Sequence, residues 1–466
     1  MHVNKPYIPN WRLGETSVAL TRRRIYWAIL AIILTLTAFI LLKSDLRQHT
    51  KPVEHHFEQS TYKYLSQSDK SWVFDLERDG LNFGLSEYQC ETAFPDLYQE
   101  LDRARDVLLK QNRRITEADV QVDQADDVAG RPHGEFHVLI SRGELYVIKE
   151  RKGEPDRSRG LAALANMYRA MAAVPDRRTL PDIEFVLDIE DRAAHNEKNP
   201  ERIRWAWARH EDNPWLWVMP DFDGWTYPDD GVGSYVQFRE DVAELESEYR
   251  LSGWDGKEAK LCWRGSLAVN AQLRGDLVEA SRGHNWSDIE AIDWHNRANV
   301  LAMKDFCRFK YVAHTEGNSW SGRLRYLQNC DSVAVIHKLD YVFHYRHLLV
   351  DSGPHQNYVQ VKRDWSDLET SMQALIDSPR QARQIALEST KVFRDRYLTP
   401  AAEACYWRRM FYNWRAVMDF EPRRYDVKED GTKVRRGVSW ERFAFRQKQS
   451  YEHGFYENDA DDDDDE

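Results

Sequence analysis

FKYVAHTEGNSWSGRLRYLQNC, residues 309–330, places a short apolar strand (309–315), a Gly/Ser-rich loop (316–322) and an arginine-bearing helical stretch (323–330) in immediate succession. Such a junction suits an anion. The small residues let backbone approach a ligand, and a helix start offers N–H groups and the positive end of a dipole. Arg323 falls in the first helical turn, where a guanidinium can clamp a phosphate through two parallel hydrogen bonds. Two further strands, DSVAVIHK (331–338) and NYVQVK (357–362), are each followed by helical sequence, and this alternation predicts a doubly wound α/β domain.

Upstream, a similar junction occurs. LCWRGS (261–266) reads as the end of a strand, a helix is expected near 271–281, and Arg264, Gly265, Ser266 and Arg274 repeat the pattern of small residues and cations. Two strand-to-helix junctions of this kind, about fifty residues apart, point to a diphosphate pocket. The first half also alternates. Its expected elements are a helical stretch at 90–111, a hairpin at 134–150 turning at Gly143, a helix at 159–174 and a buried strand at 181–191 ending in Asp188, Glu190 and Asp191. Ligands in α/β sheets sit beyond the carboxyl ends of strands, so a carboxylate here can act as a general base. On periodicity alone, capping the following turn or solvating the strand end is the better reading of these acids.

Residues 25–42 (IYWAILAIILTLTAFILL) carry no charge over 18 positions and would span about 27 Å as a helix. Lys5, Arg12, Arg22, Arg23 and Arg24 precede this run against the single acid Glu15, which predicts a cytosolic N-terminus and a lumenal remainder. The expected organisation is a cytosolic tail (1–24), a transmembrane signal anchor (25–42), a stem (43–85), a first α/β domain (86–250), a second α/β domain carrying the diphosphate pocket (251–425) and a polar, acidic, unstructured tail (426–466). Net charge is −12, with seven acids in the last eight positions. No basic stripe suggests a nucleic-acid partner. Five cysteines in an oxidising lumen allow at most two disulfides with one thiol over, in a connectivity that spacing leaves open.

Other motifs carry less. GNSWSG resembles a hydrolase nucleophile elbow around Ser319, but the glycines are one residue too far apart. Asp221-Phe222-Asp223 has the form of a metal-binding D-x-D, yet such triplets arise by chance in a chain this acidic. His337, His344 and His347 lack a carboxylate at ligand spacing and are expected in the core or on the surface.

Taken in order, LPDIEFVLDIED (180–191), MPDFDGW (219–225), CWRGS (262–266), CRFKYVAHTEGNSWSGRLRYL (307–327), DSVAVIH (331–337) and NYVQVKRDWSDL (357–368) resemble the capsule-associated type of glycosyltransferase, family 90. The family includes fungal capsule xylosyltransferases and animal protein O-glucosyltransferases, and the fungal versions look closer. The resemblance implies an α/β, GT-B-like fold, two Rossmann-like domains facing a cleft, here preceded by a single N-terminal transmembrane helix. It also implies inversion at the sugar, a UDP-sugar co-substrate, a glycan or glycoprotein acceptor and no obligatory metal. By motif position it makes Asp191 the catalytic base, with Asp188 as the fallback. Ser266, Arg274, Gly317, Asn318, Ser319, Trp320, Ser321, Gly322 and Arg323 become the nucleotide-sugar contacts. Glu316 departs from the family pattern, because animal members carry arginine there. Two other functions fit parts of the pattern: a membrane-anchored carbohydrate- or nucleotide-sugar-binding protein without activity, and a secretory hydrolase using Ser319.

Overall fold

The second half builds a five-stranded, wholly parallel sheet. Its strands are β6 (Glu258–Gly265), β7 (Ser287–Ala291), β8 (Phe309–His314), β9 (Val333–His337) and β10 (Val359–Val361), in the order β7-β6-β8-β9-β10. Side chains alternate across this sheet, and both faces are covered. Leu261, Trp263, Tyr311, Ala313, Val333 and Val335 enter one core, while Cys262, Val312, Ala334 and Ile336 enter the other. Near-continuous apolar strands are what a parallel sheet buried on two sides requires. The expected doubly wound arrangement is found here. The structure, a computed structural model, describes residues 72–122, 134–151, 157–191, 201–227, 232–293 and 295–445.

The first half differs from a regular Rossmann-like domain. Its six-stranded sheet contains β1 (Glu135–Ser141), β2 (Glu144–Arg151), β3 (Ile183–Asp188), β4 (Trp205–Ala206), β5 (Trp217–Val218) and, from the far end of the chain, β11 (Val438–Ser439). Only β3, β4 and β5 run parallel; β11, β2, β1 and β3 pair antiparallel. The cause is local. Arg142 and Gly143, both at positive φ (53° and 76°), close a two-residue turn that forces β1 and β2 into a hairpin. Helix α1 (Arg157–Ala172) lies against this sheet, and Gly160 permits it, since a Cβ there would overlap the Phe136 ring.

The chain then returns to the first half. Helix α4 (Pro400–Arg415), capped by the Thr399 hydroxyl and started by Pro400, packs Trp407, Phe411 and Trp414 into the first core. The disulfide Cys90–Cys405 fastens it to the helix Glu87–Ala93. A second disulfide, Cys307–Cys330, lies in the second half, and Cys262 is a buried free thiol. The first half therefore depends on the segment after residue 397. Residues 426–445 of the expected unstructured tail are ordered: they supply β11 and the helix Trp440–Phe445, whose Phe443 is buried. Likewise Trp72 and Phe74, expected in the stem, pack on the first core. The apolar run 25–42 lies outside the described residues, among which no helix is long and apolar enough to cross a membrane.

Opening Cys90–Cys405 removes a link that closes a loop of 315 residues. Cys405→Ser is expected to lower stability by about 2–4 kcal/mol, read as a lower denaturant midpoint under non-reducing conditions; an unchanged midpoint would contradict the link's role.

Candidate active site

β8 ends at His314 and delivers the loop 316–322 to the edge of the second half, where segments from both halves meet it. On one side stands Asp191. The Ser319 hydroxyl donates to the Asp191 carbonyl, and Asn318 Nδ2 lies 3.4 Å from Asp191 Oδ2. On the other stands Arg274, whose Nε donates to the Glu316 carbonyl at 3.3 Å and whose Nη1 donates to the Ser266 carbonyl at 2.8 Å. Asn270, just before helix α2 (Ala271–Ala280), adds a hydrogen bond of 3.1 Å from its Nδ2 to the Gly317 carbonyl. It does so from a left-handed backbone (φ 48°), a conformation asparagine tolerates and one that concentrates at functional sites.

The three acids closing β3 separate clearly. Asp188 is fully buried and accepts the Glu190 N–H at 3.0 Å; Glu190 accepts the Gly134 N–H at 2.7 Å. Asp191 alone keeps a side chain 46% exposed, with Arg159 of α1 donating to Oδ1 at 2.6 Å. Arg159 orients the carboxylate and leaves Oδ2 toward Asn318. The geometry favours Asp191 over Asp188 as a group able to meet an acceptor.

The cationic side is out of balance. Among the described residues neither Arg274 nor Arg323 has a carboxylate within salt-bridge distance. Burial, and then the neighbouring Arg323, push Arg274 down to about 10. Burial also lowers Arg323, whose Nη1 donates to the Arg264 carbonyl, whose Nε is buried without a partner, and whose guanidinium lies 5.7 Å from the Phe306 ring centre. His314 is held neutral, chiefly by burial and then by His337, Arg323 and Arg274, with a buried unpartnered Nδ1. A diphosphate is the kind of ligand that would compensate such a cluster. Arg264 does not join it, because its guanidinium pairs with Asp288 at 2.6 Å.

The helical contribution differs from expectation. Helix α3 spans only Arg323–Leu327, because the Asn329 side chain donates to the Arg325 carbonyl and Cys330 is tied to Cys307. The N–H groups of Leu324 and Arg325 already donate to the Ser321 and Gly322 carbonyls at 3.3 and 3.1 Å. Positive charge at this junction comes from side chains.

Remaining residues of the predicted set fall in the same place. Ser266 Oγ accepts the Ala268 N–H, Trp320 Nε1 donates to Asp221 at 2.7 Å, and Gly322 packs against Asp221 and Asp223. The Ser319 hydroxyl is engaged by the Asp191 carbonyl, which argues against a nucleophile elbow. Sequence reasoning missed Arg159 and Asn270, 32 and 47 residues from the groups they hold, since no local pattern marks them. Glu316, seen only as a departure, is a buried anchor: its carboxylate accepts the Asp340 and Tyr341 N–H groups and pairs with Arg363 at 2.6 Å.

Residues 107–447 match the family described as Glycosyl transferase family 90. Protein O-glucosyltransferase 1 of Rattus norvegicus is 24% identical over 277 residues, covering 52% of this chain and 64% of that protein. Protein O-glucosyltransferase 2 of Danio rerio is 23% identical over 314 residues (64% and 59%), and protein O-glucosyltransferase 3 of Rattus norvegicus 27% over 249 (51% and 47%). The chain thus spans about half to two thirds of the length of these curated relatives.

Arg274→Ala and Arg323→Ala are each expected to weaken UDP binding roughly 10- to 100-fold, the loss of one charge-assisted contact. Arg274→Lys should retain part of it. Calorimetry on folded protein measures this, and wild-type affinity in both alanine variants would remove the cradle.

Proposed function

Because the chain belongs to glycosyl transferase family 90, we propose that it is an inverting, UDP-sugar-dependent glycosyltransferase of GT-B organisation, with xylose or glucose as the transferred sugar. The observation that carries this reading is the loop 316–322, held between a half-exposed carboxylate and two arginines that have no acidic partner among the described residues. Residues 86–250 form the acceptor side and 251–425 the nucleotide side, with α4 and β11 returning to the first. The relatives are named protein O-glucosyltransferases, which supports glucose as the transferred sugar and a protein hydroxyl as the acceptor.

The reaction is a single displacement. Asp191 takes the proton of the acceptor hydroxyl, whose oxygen attacks the anomeric carbon while the bond to the β-phosphate oxygen breaks and UDP leaves. Arg159 keeps the base oriented. Arg274 and Arg323 stabilise charge growing on the diphosphate, a preorganised electrostatic role in which one contact is worth roughly 2–4 kcal/mol at the transition state. The proposed setting is the Golgi or endoplasmic reticulum membrane, with residues 25–42 as a type II anchor and the catalytic part in the lumen. Two disulfides support an oxidising compartment.

UDP release from UDP-glucose and UDP-xylose, with and without acceptor glycans, tests the reading. Asp191→Asn should bind UDP within about twofold of wild type and lose transfer by roughly 10²–10⁴-fold. Transfer that survives this substitution places the base elsewhere; UDP-sugar binding without turnover in the wild type would favour a binding protein that kept the fold.

A further inference from the structure

Beside the loop, on the side away from Arg274, lies a buried charged cluster that the proposed reaction does not use. Asp221 and Asp223, 7% and 1% exposed, follow β5. Asp221 Oδ2 accepts the Trp320 indole N–H at 2.7 Å, and the Trp320 ring packs against both the first core and one face of the second sheet. Gly322 is small for the same reason: a Cβ there would lie 2.8 Å from Asp223 Oδ2 and 3.0 Å from Asp221 Oδ2. Among the described residues the guanidinium in direct ion pairs with the cluster is that of Arg325, which pairs with Asp223 at 3.1 Å and with Glu403 of α4 at 2.5 Å. Glu403 in turn accepts from Asn166 of α1, the helix that carries Arg159. The loop, α1, α3, α4 and the segment after β5 therefore each have a side chain in this network.

We propose that Asp221 is a positioning residue for the donor loop: by accepting the Trp320 indole N–H it locks residues 317–322 to the first half, and the proton content of the Asp221–Asp223 pair sets how firmly the loop grips the nucleotide sugar. The inference rests on the glycosyltransferase reading above. Asp221 and Asp223 share Arg325 with Glu403, and the other groups facing them are Arg159, Tyr326, Tyr345 and His344, the last kept neutral by burial. Three carboxylates around one arginine cannot all ionise cheaply in a water-poor interior. Burial raises Asp223 well above the usual carboxylate range, and Asp221 to about 6. Above that pH the ionised Asp221 accepts the indole N–H as a charge-assisted hydrogen bond; below it the carboxyl form accepts more weakly. Donor affinity is lost as pH falls through about 6.

Calorimetry with UDP-glucose tests this, because its diphosphate is esterified at both ends, whereas the terminal phosphate of free UDP titrates near pH ~6. Wild-type affinity should fall about fourfold from pH 7.5 to 5.5. Asp221→Asn keeps an acceptor oxygen without a titrating proton and should be flat across that window. Asp221→Ala and Trp320→Phe should each weaken binding about tenfold at pH 7.5, and the double variant no further, since both remove one interaction. Wild-type affinity in Asp221→Ala, additive losses in the double variant, or the wild-type pH slope in Asp221→Asn would each overturn the proposal. Should Asp221→Ala fail to fold, Asp221→Asn and Trp320→Phe decide it alone. A wild type that ignores both UDP-glucose and UDP-xylose at every pH defeats the glycosyltransferase reading itself and this inference with it.

Discussion

Positive charge at Arg274 and Arg323, without acidic compensation among the described residues, is the constraint around which the rest is arranged. A partly buried guanidinium normally finds a carboxylate, because desolvation is otherwise costly. Here the fold supplies carbonyls instead, from Ser266 and Glu316 for Arg274 and from Arg264 for Arg323. Carbonyls fix direction and leave most of the charge uncancelled. An anionic ligand gains both, a set geometry and an electrostatic partner, at little cost in reorganisation.

The loop that brings base and cations together extends from the second half and is held by side chains of both. Ser319 and Asn318 meet Asp191, Trp320 meets Asp221, and Glu316 and Gly317 meet Arg274 and Asn270. Glu316 further joins the loop to Asp340 and Tyr341, and Tyr341 pairs with His210 of the first half in a short antiparallel ladder. Helix α4 closes the circuit, with Glu403 reaching Arg325 while its aromatic face fills the first core. Small relative shifts of the two halves would therefore be felt at the loop first.

Much of this was legible in residue order. The strand-loop-arginine succession at 309–330 and the alternation after it predicted the parallel sheet, because apolar runs of that length between turn residues have few other stable arrangements. The ten residues assigned to the site through family resemblance converge on one loop and its two flanks. What sequence could not supply was long-range. Arg159 has no pattern to mark it, the return of α4 and of Val438–Ser439 to the first sheet depends on contacts hundreds of residues apart, and the disulfide partners followed only from the fold. The helix expected over 323–330 stops at Leu327, and carbonyls of Ser321 and Gly322, which residue order does not mark, already hold the N–H groups of Leu324 and Arg325.

The most direct test is the structure of the protein bound to UDP. The account predicts the diphosphate within hydrogen-bond distance of both Arg274 and Arg323, against the loop 317–322, with the Asp191 carboxylate facing the position of the sugar's anomeric carbon. A nucleotide whose phosphates lie away from these two guanidinium groups would contradict it.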